Sequence, residues 1–111
     1  MNRNRLIEAF VSNLSTVIVH KILEKAIDKE EIASHYNKEI INSWEISKKY
    51  REKINPINRE LPSHDIKEIK SKIISKVNIE LNIRISRGYQ NINLSLVEDF
   101  VNHALKDLNV V

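Results

Sequence analysis

Apolar side chains recur every three to four residues along most of this chain, and one proline-containing segment is the clearest interruption. This spacing places the apolar side chains on one face of an α-helix. The interruption runs from Asn55 to Pro62 and contains both prolines. Proline lacks a backbone donor and disfavours a helical conformation in the residue before it. The pattern therefore predicts an all-α fold, and the 111 residues are the length of a single domain, 1–111.

Two helices are predicted before the break. The first covers residues 6–27 and is apolar on more than one side, which is typical of a helix at the centre of a bundle. The second runs from Asp28, in the N-cap position, to about Ile54. Ser43 and Ser47 lie one turn apart in its apolar face. We expect these small side chains to allow another helix to approach closely.

Two further helices are predicted after the break, which completes a bundle of about four. The third begins at Ser63, which is expected to cap it. The fourth begins at Ser95, where Glu98 three residues later forms a capping box. We expect the second and third helices to form a long antiparallel hairpin, because only the proline-containing segment separates them.

Residues 77–96 also fit a different structure. Apolar and polar residues alternate on both sides of Gly88, which is the period of a β-strand. Helix is preferred because the apolar face that starts at Ile66 continues to Ile85, and because glycine readily ends a helix in a left-handed conformation. The alternative is an α+β fold with a β-hairpin at 77–96.

Composition excludes several kinds of site. The chain has no cysteine, so disulfides, thiolate metal sites and cysteine nucleophiles are excluded. It has a single glycine, which excludes the glycine-rich loops that hold phosphates. Hydrophobic residues make up 41% and charged residues 30%, a balance typical of a folded globular domain. No cofactor is predicted.

The first helix is not expected to cross a membrane or to act as a signal peptide. Its longest uninterrupted apolar run is 17–19, and Glu8, Ser12, Asn13 and Ser15 break the preceding stretch. A spanning helix needs about 20 predominantly apolar residues. We therefore expect a cytoplasmic protein with no membrane partner.

Three of the four histidines lie one helical turn from a carboxylate. Such a pair could offer two metal ligands on one helix face, but it is also an ordinary surface interaction. The Glu-x-x-His and His-Glu-x-x-His spacings of known helical metal sites are absent, so no metal site is predicted. The pairs are His20 with Glu24, His35 with Glu31 and Glu39, and His103 with Asp99 and Asp107.

The chain offers few residues for catalysis. No serine lies in a glycine-flanked turn between a strand and a helix. Arg59 and His64 have an Arg-x-x-x-x-His spacing that resembles the ribonuclease motif of HEPN domains. That motif lies on a helix, whereas this pair straddles Pro62 in a predicted loop. No catalytic residue is assigned, and we expect a protein that is not an enzyme.

Positive charge is concentrated in one segment. Residues 48–87 contain 11 Lys or Arg and 5 Asp or Glu, a net charge of +6, whereas the whole chain has +3. A basic segment can contact phosphates, so nucleic-acid binding is the alternative function. The third-helix lysines spread widely around the helix, however, as on any solvated surface. The candidate phosphate contacts are Lys48, Lys49, Arg51, Lys53, Arg59, Lys67 and Lys70.

Several isoleucines lie outside the apolar faces of their helices. Ile41 and Ile46 do so in the second helix, and Ile79 and Ile83 in the third. Apolar residues beyond the needs of a core can join into an interface. The leading prediction is therefore a non-enzymatic interaction or assembly module that binds another protein or, as a homodimer, a second copy of itself.

Overall fold

The computed structural model describes residues 2–27, 29–56 and 59–111, and it confirms the all-α bundle of about four helices. No strand occurs in these three segments. The molecule measures 40 × 23 × 23 Å, so it is elongated along its long helices. The helices are α1 (Arg3–Ala26), α2 (Glu30–Ile54), α3 (Ser63–Ser86) and α4 (Val97–Asp107), with a 3-10 turn at Leu94–Leu96 before α4.

Helix α1 is the central element, as its two-sided apolar pattern predicts. It packs against α2, α3 and α4. Each fully buried Leu or Ile side chain stabilises the fold by about 1.5–3 kcal/mol, and α1 contributes more buried apolar side chains to the core than any other helix. Its buried side chains are Ile7, Phe10, Val11, Leu14, Ser15, Val17, Ile18, Val19, Ile22 and Leu23.

The long antiparallel hairpin is formed by α1 and α2, so the prediction that α2 pairs with α3 is wrong. The short connection 27–29 joins α1 to α2, and their backbones approach closely along much of their length. Helix α3 packs against α1 and α4 instead. The physical reason is that α1 has the widest apolar surface, so each of its neighbours gains more by covering α1 than by covering another neighbour.

Small side chains allow the close approach of α1 and α2, as predicted for Ser43 and Ser47. Both serines are buried. The Ser47 hydroxyl donates to the backbone carbonyl of Ser43 over 2.8 Å, so its polar group is satisfied within the helix.

The helix starts differ in part from their predicted positions. Helix α1 begins earlier than residue 6, because the Asn2 side chain accepts a hydrogen bond from the backbone N–H of Arg5 over 2.9 Å. The predicted cap residue Asp28 lies outside the described residues. Lys29 precedes α2 and makes no side-chain cap bond.

Two predicted caps after the break are wrong. Ser63 is the first residue of α3 rather than its cap, and Pro62 occupies the cap position without a side-chain bond. Ser95 lies inside the 3-10 turn before α4, and Asn93 caps that turn. The Asn93 carboxamide oxygen accepts from the backbone N–H of Ser95 over 3.1 Å and from its hydroxyl over 2.6 Å.

Gly88 ends α3 as predicted, which makes the alternative β-hairpin at 77–96 wrong for the described residues. Its φ of +95° is a left-handed conformation that favours glycine. The N–H of Tyr89 donates to the carbonyl of Arg84 over 3.1 Å, and that of Gly88 to Ile85 over 3.0 Å. This pair of bonds is a Schellman motif. Helix wins over strand because the face that includes Leu81 is buried in the core.

Among the helices in the described residues, α1 is long and apolar enough to cross a bilayer by length and composition alone. The sequence prediction rested on unbroken apolar runs, which are short, whereas the mean hydropathy over a longer window is high enough for a spanning helix. The same window is 56% buried inside the molecule. The buried central helix of a globular protein has these same properties.

Candidate functional site

A cleft of about 240 Å³ lies between α1 and α3. Its floor and walls carry hydroxyl groups, two permanent cations, one carboxylate and a histidine. This mixture is polar enough to hold a hydrogen-bonding group. The lining residues are Ser12, Ser15, Thr16, Val19 and His20 of α1, and Lys76, Ile79, Glu80 and Arg84 of α3.

His20 lies half-buried at one end of the cleft. Its ring contacts that of Tyr36 on α2, with 5.3 Å between ring centroids. Its Nδ1 atom is buried and has no hydrogen-bond partner. Burial lowers the pKa of His20, and the charges of Arg84 and His35 lower it further, while the carboxylate of Glu39 opposes them. The imidazole is therefore predominantly neutral at neutral pH.

Arg84 faces His20 from the last turn of α3. Its Nε atom is also buried without a hydrogen-bond partner. The guanidinium carbon lies 5.7 Å from the ring centroid of Tyr89, which follows the Gly88 turn. The helix end and the turn thus hold the aromatic ring and the guanidinium together.

An apolar rim borders the cleft on α3. Ile79 is 57% exposed and Ile83 is 38% exposed, and they lie one helical turn apart. Lys76 and Glu80, also one turn apart, flank them on the same side of the helix. Neither charge has an ion-pair partner in the described residues. This α3 face, defined as Lys76, Ile79, Glu80 and Ile83, carries two exposed apolar side chains and, beside them, one charge of each sign.

The two other interface candidates lie on α2. Ile41 is 56% exposed, whereas Ile46 is partly buried. Five residues apart on a helix, they are separated by about 140° and do not share a face. Because α1 lies between α2 and α3, the structure does not join this pair to Ile79 and Ile83.

Three of the predicted phosphate contacts are engaged within the protein. Lys48 pairs with Glu45 over 3.1 Å, and Lys70 approaches Glu98 at 3.8 Å. Arg51 is fully buried, so the prediction that it contacts phosphates at the surface is wrong. The remaining four are exposed and are Lys49, Lys53, Arg59 and Lys67.

Arg51 joins three distant parts of the chain. Its Nε donates to the carbonyl of Leu108 over 3.0 Å, and Nη2 donates to the carbonyls of Arg59 and Asn109 over 2.9 and 2.8 Å. Its Nη1 donates to the side-chain oxygen of Asn55 over 2.6 Å. Burial lowers the pKa of Arg51, but arginine keeps its charge at any physiological pH. Carbonyl dipoles, rather than a carboxylate, balance this buried cation.

A second buried charge lies at the start of α3. The Asp65 carboxylate is buried and pairs with the guanidinium of Arg3 on α1, which is 46% exposed. His64 Nε2 lies 3.3 Å from the other carboxylate oxygen. The hydrogen bond from Arg3 holds the pKa of Asp65 below its usual range. The residue joins the first turns of α1 and α3.

The histidine–carboxylate pairs do not converge. In the described segments, no group of three or more His, Asp or Glu side chains could hold a metal ion. His103 uses Nδ1 for a 2.8 Å contact with the backbone carbonyl of Asp99 rather than with a carboxylate. Arg59 and His64, the pair in the ribonuclease-like spacing, are both exposed.

No protein-family model, curated protein or solved structure matches this chain.

The sequence predicted the exposed isoleucines of the rim but not the cleft. Ile79 and Ile83 stood out because they lie off the buried face of α3. His20 and Arg84 are 64 residues apart in the sequence, and no local pattern joins them. The signal that was present is the placement of a polar residue, His20, directly after the apolar run 17–19 of α1.

Proposed function

We propose that this protein is a self-associating helical module in which two copies bury the α3 face against one another. The observation that carries the proposal is the exposure of Ile79 and Ile83 one turn apart, beside two charges, Lys76 and Glu80, that have no ion-pair partner in the described residues. Fully burying an exposed isoleucine stabilises by about 1.5–3 kcal/mol, and these two side chains, about half exposed, forgo roughly half of that each. Contact with another apolar surface recovers that energy.

The charges favour a second copy as the occupant. In an antiparallel arrangement related by a two-fold axis, Lys76 of one protomer faces the partner's Glu80, and the reverse contact forms by symmetry. One helix face then complements itself in both apolar area and charge. A partner of uniform charge would leave either Lys76 or Glu80 unmatched.

The test is the mass of the protein in solution as a function of concentration, measured by light scattering and sedimentation. We expect a dimer that dissociates on dilution. Ile79→Asp and Ile83→Asp should each raise the dissociation constant by about a hundredfold, because a symmetric interface loses two apolar side chains for each substitution. Ile41→Asp is the matched control, since Ile41 is equally exposed but lies on α2.

A charge exchange tests the antiparallel arrangement. Lys76→Glu should weaken the dimer, and adding Glu80→Lys should restore most of the affinity, because the exchanged pair is again complementary. A monomer at all concentrations, or a dimer broken by Ile41→Asp alone, would contradict the α3 interface.

Nucleic-acid binding through residues 48–87 is the less supported alternative. Lys48 and Lys70 are paired with carboxylates and Arg51 is buried, which reduces the charge available to phosphates. The discriminating measurement is fluorescence anisotropy of labelled DNA and RNA at two salt concentrations. Binding that falls steeply with added salt, and that a double substitution of Lys49 and Lys53 to Gln removes, would favour this alternative.

A further inference from the structure

Two buried polar atoms of the cleft lack hydrogen-bond partners. In the described residues, His20 Nδ1 and Arg84 Nε are the buried side-chain nitrogens left unsatisfied, and both residues line the same cleft. An unsatisfied buried donor costs about 1–3 kcal/mol, and native proteins contain few of them. Two unsatisfied polar atoms that share one cleft indicate that it accommodates a hydrogen-bonding group.

The donors define the chemistry of that group. Arg84 Nε can only donate, so the occupant must offer an acceptor. Lys76 supplies a second permanent cation in the cleft, while Glu80 is its one carboxylate. With His20 neutral, the cleft carries a net formal charge of +1. Arginine with a second cation is the usual means of holding a carboxylate or a phosphate.

The volume limits the size of the occupant. Pockets that enclose drug-sized ligands have about 300–1,000 Å³, and this cleft has about 240 Å³. A small anion with a few heavy atoms beyond its charged group fits within this volume.

We propose that the cleft between α1 and α3 binds a small oxyanion, a carboxylate or a phosphate, through Arg84, Lys76 and His20. All three residues belong to one protomer, so the site is complete in a monomer. Lys76 also belongs to the α3 face, so a bound anion and a partner's Glu80 compete for it, and self-association should weaken anion binding.

Anion binding should be linked to the protonation of His20. The groups that face its imidazole are Glu39, His35 and Tyr36 from α2, and Arg84 from α3. An added anion favours the imidazolium form, which can donate from both ring nitrogens. Affinity should therefore rise as the pH falls through the range in which His20 becomes protonated in the complex.

The test is an NMR titration of the isotope-labelled protein with inorganic phosphate and, separately, with acetate. Chloride at matched ionic strength is the control. We expect saturable chemical-shift changes at the Arg84 Nε–H and at the His20 ring. The anion that binds more tightly shows whether the natural ligand carries a phosphate or a carboxylate. Lys76→Gln should weaken binding by about tenfold, and Arg84→Lys, which keeps the charge without Nε, by a similar factor. Lys67→Gln is the control, because Lys67 is exposed on α3 outside the cleft.

Three results would overturn the proposal. The first is a chemical-shift change that grows linearly with the concentration of both anions and does not saturate. The second is a response that Lys76→Gln and Arg84→Lys leave unchanged. The third is its disappearance in a folded monomer made by Ile83→Ser, which adds no charge beside Arg84, since part of the anion site would then come from a partner copy. Binding that persists in that monomer supports the anion site even if self-association fails.

Discussion

Arg51 Nε donates a hydrogen bond to the backbone carbonyl of Leu108 over 3.0 Å, across 57 residues of sequence. The contact depends on the turn that ends α4. Asn109 has a φ of +55°, and the N–H of Val110 donates to the carbonyl of Leu105 over 2.9 Å. This second Schellman motif brings the carbonyls of Leu108 and Asn109 to the guanidinium. The C-terminal end of α2 is thereby fixed to the C-terminal segment of the chain.

Among the residues that the sequence placed on the surface, Arg51 should be the one whose replacement destabilises the fold most. Arg51→Ala leaves several buried carbonyls unsatisfied, and we expect a loss of at least about 3 kcal/mol in the free energy of unfolding. Arg51→Lys keeps the charge but has fewer, differently placed donors, so it should recover only part of the loss. Urea denaturation measures both. Lys49→Ala, exposed on the same helix, should change stability by less than about 0.5 kcal/mol. A similar small effect for Arg51→Ala would contradict the role given to its hydrogen bonds.

Asp65 should make stability depend on acidic pH. Arg3 holds the pKa of Asp65 below its usual range in the folded state, so the ionised carboxylate stabilises the fold above the unfolded-state pKa of about 3.9. That contribution is lost as the pH falls through the lower, folded-state pKa. Because Arg3 is nearly half exposed, we expect Asp65→Asn to cost only about 1 kcal/mol at neutral pH.

The decisive measurement is how the difference in free energy of unfolding between the wild type and Asp65→Asn depends on pH. Thermal or urea unfolding of both proteins from neutral pH to about pH 2 should show the difference shrinking below the unfolded-state pKa. Glu52→Gln, on an exposed face of α2, is the control and should leave the profile unchanged. A difference that stays constant down to acidic pH would assign the effect of Asp65→Asn to packing rather than to charge.

Gly88 should be sensitive to any side chain through its backbone conformation alone. A Cβ built at this position meets no atom within 4 Å, so there is no steric clash with the rest of the protein. Its left-handed φ of +95° nevertheless disfavours other residues. Gly88→Ala should therefore cost about 1 kcal/mol, and Gly88→Asn less, because asparagine tolerates this region better. Denaturation midpoints measure both, with the exposed neighbour substitution Gln90→Ala as control. Equal stability of Gly88→Ala and the wild type would refute the assignment of this turn.

Ser47 should tolerate a smaller side chain but not a larger one. Its side chain is fully buried where α2 meets α1. Ser47→Leu should cost about 2 kcal/mol or more, because the added volume pushes the helices apart. Ser47→Ala keeps the close approach and should change stability by less than about 1 kcal/mol. Ser34→Leu, exposed on the same helix, controls for the intrinsic effect of leucine. An equal response of the Ser34 and Ser47 variants would contradict close packing at this point.

The extent of the helices followed from local physics and was predicted well. Ile54 ends α2 because Asn55 and Pro56 follow it, and Gly88 ends α3 because it adopts a left-handed conformation at little cost. The burial of Ser47 followed from its position in the apolar face. Errors at the helix starts were also local, since Asn93 rather than Ser95 supplied the capping oxygen. Several polar residues near a helix start compete for that role with similar energies.

The sequence by itself determined the helices outside 77–96, where they end and which faces they bury, because periodicity, proline and glycine act over a few residues, but it left a β-hairpin at 77–96 open. Only the tertiary structure decided that α2 pairs with α1, that Arg51 is inside the protein, and that His20 and Arg84 share a cleft. Those outcomes depend on which apolar surfaces meet and on which distant carbonyls reach a donor. Such choices are made by long-range packing and hydrogen bonding, which leave no local pattern in the sequence.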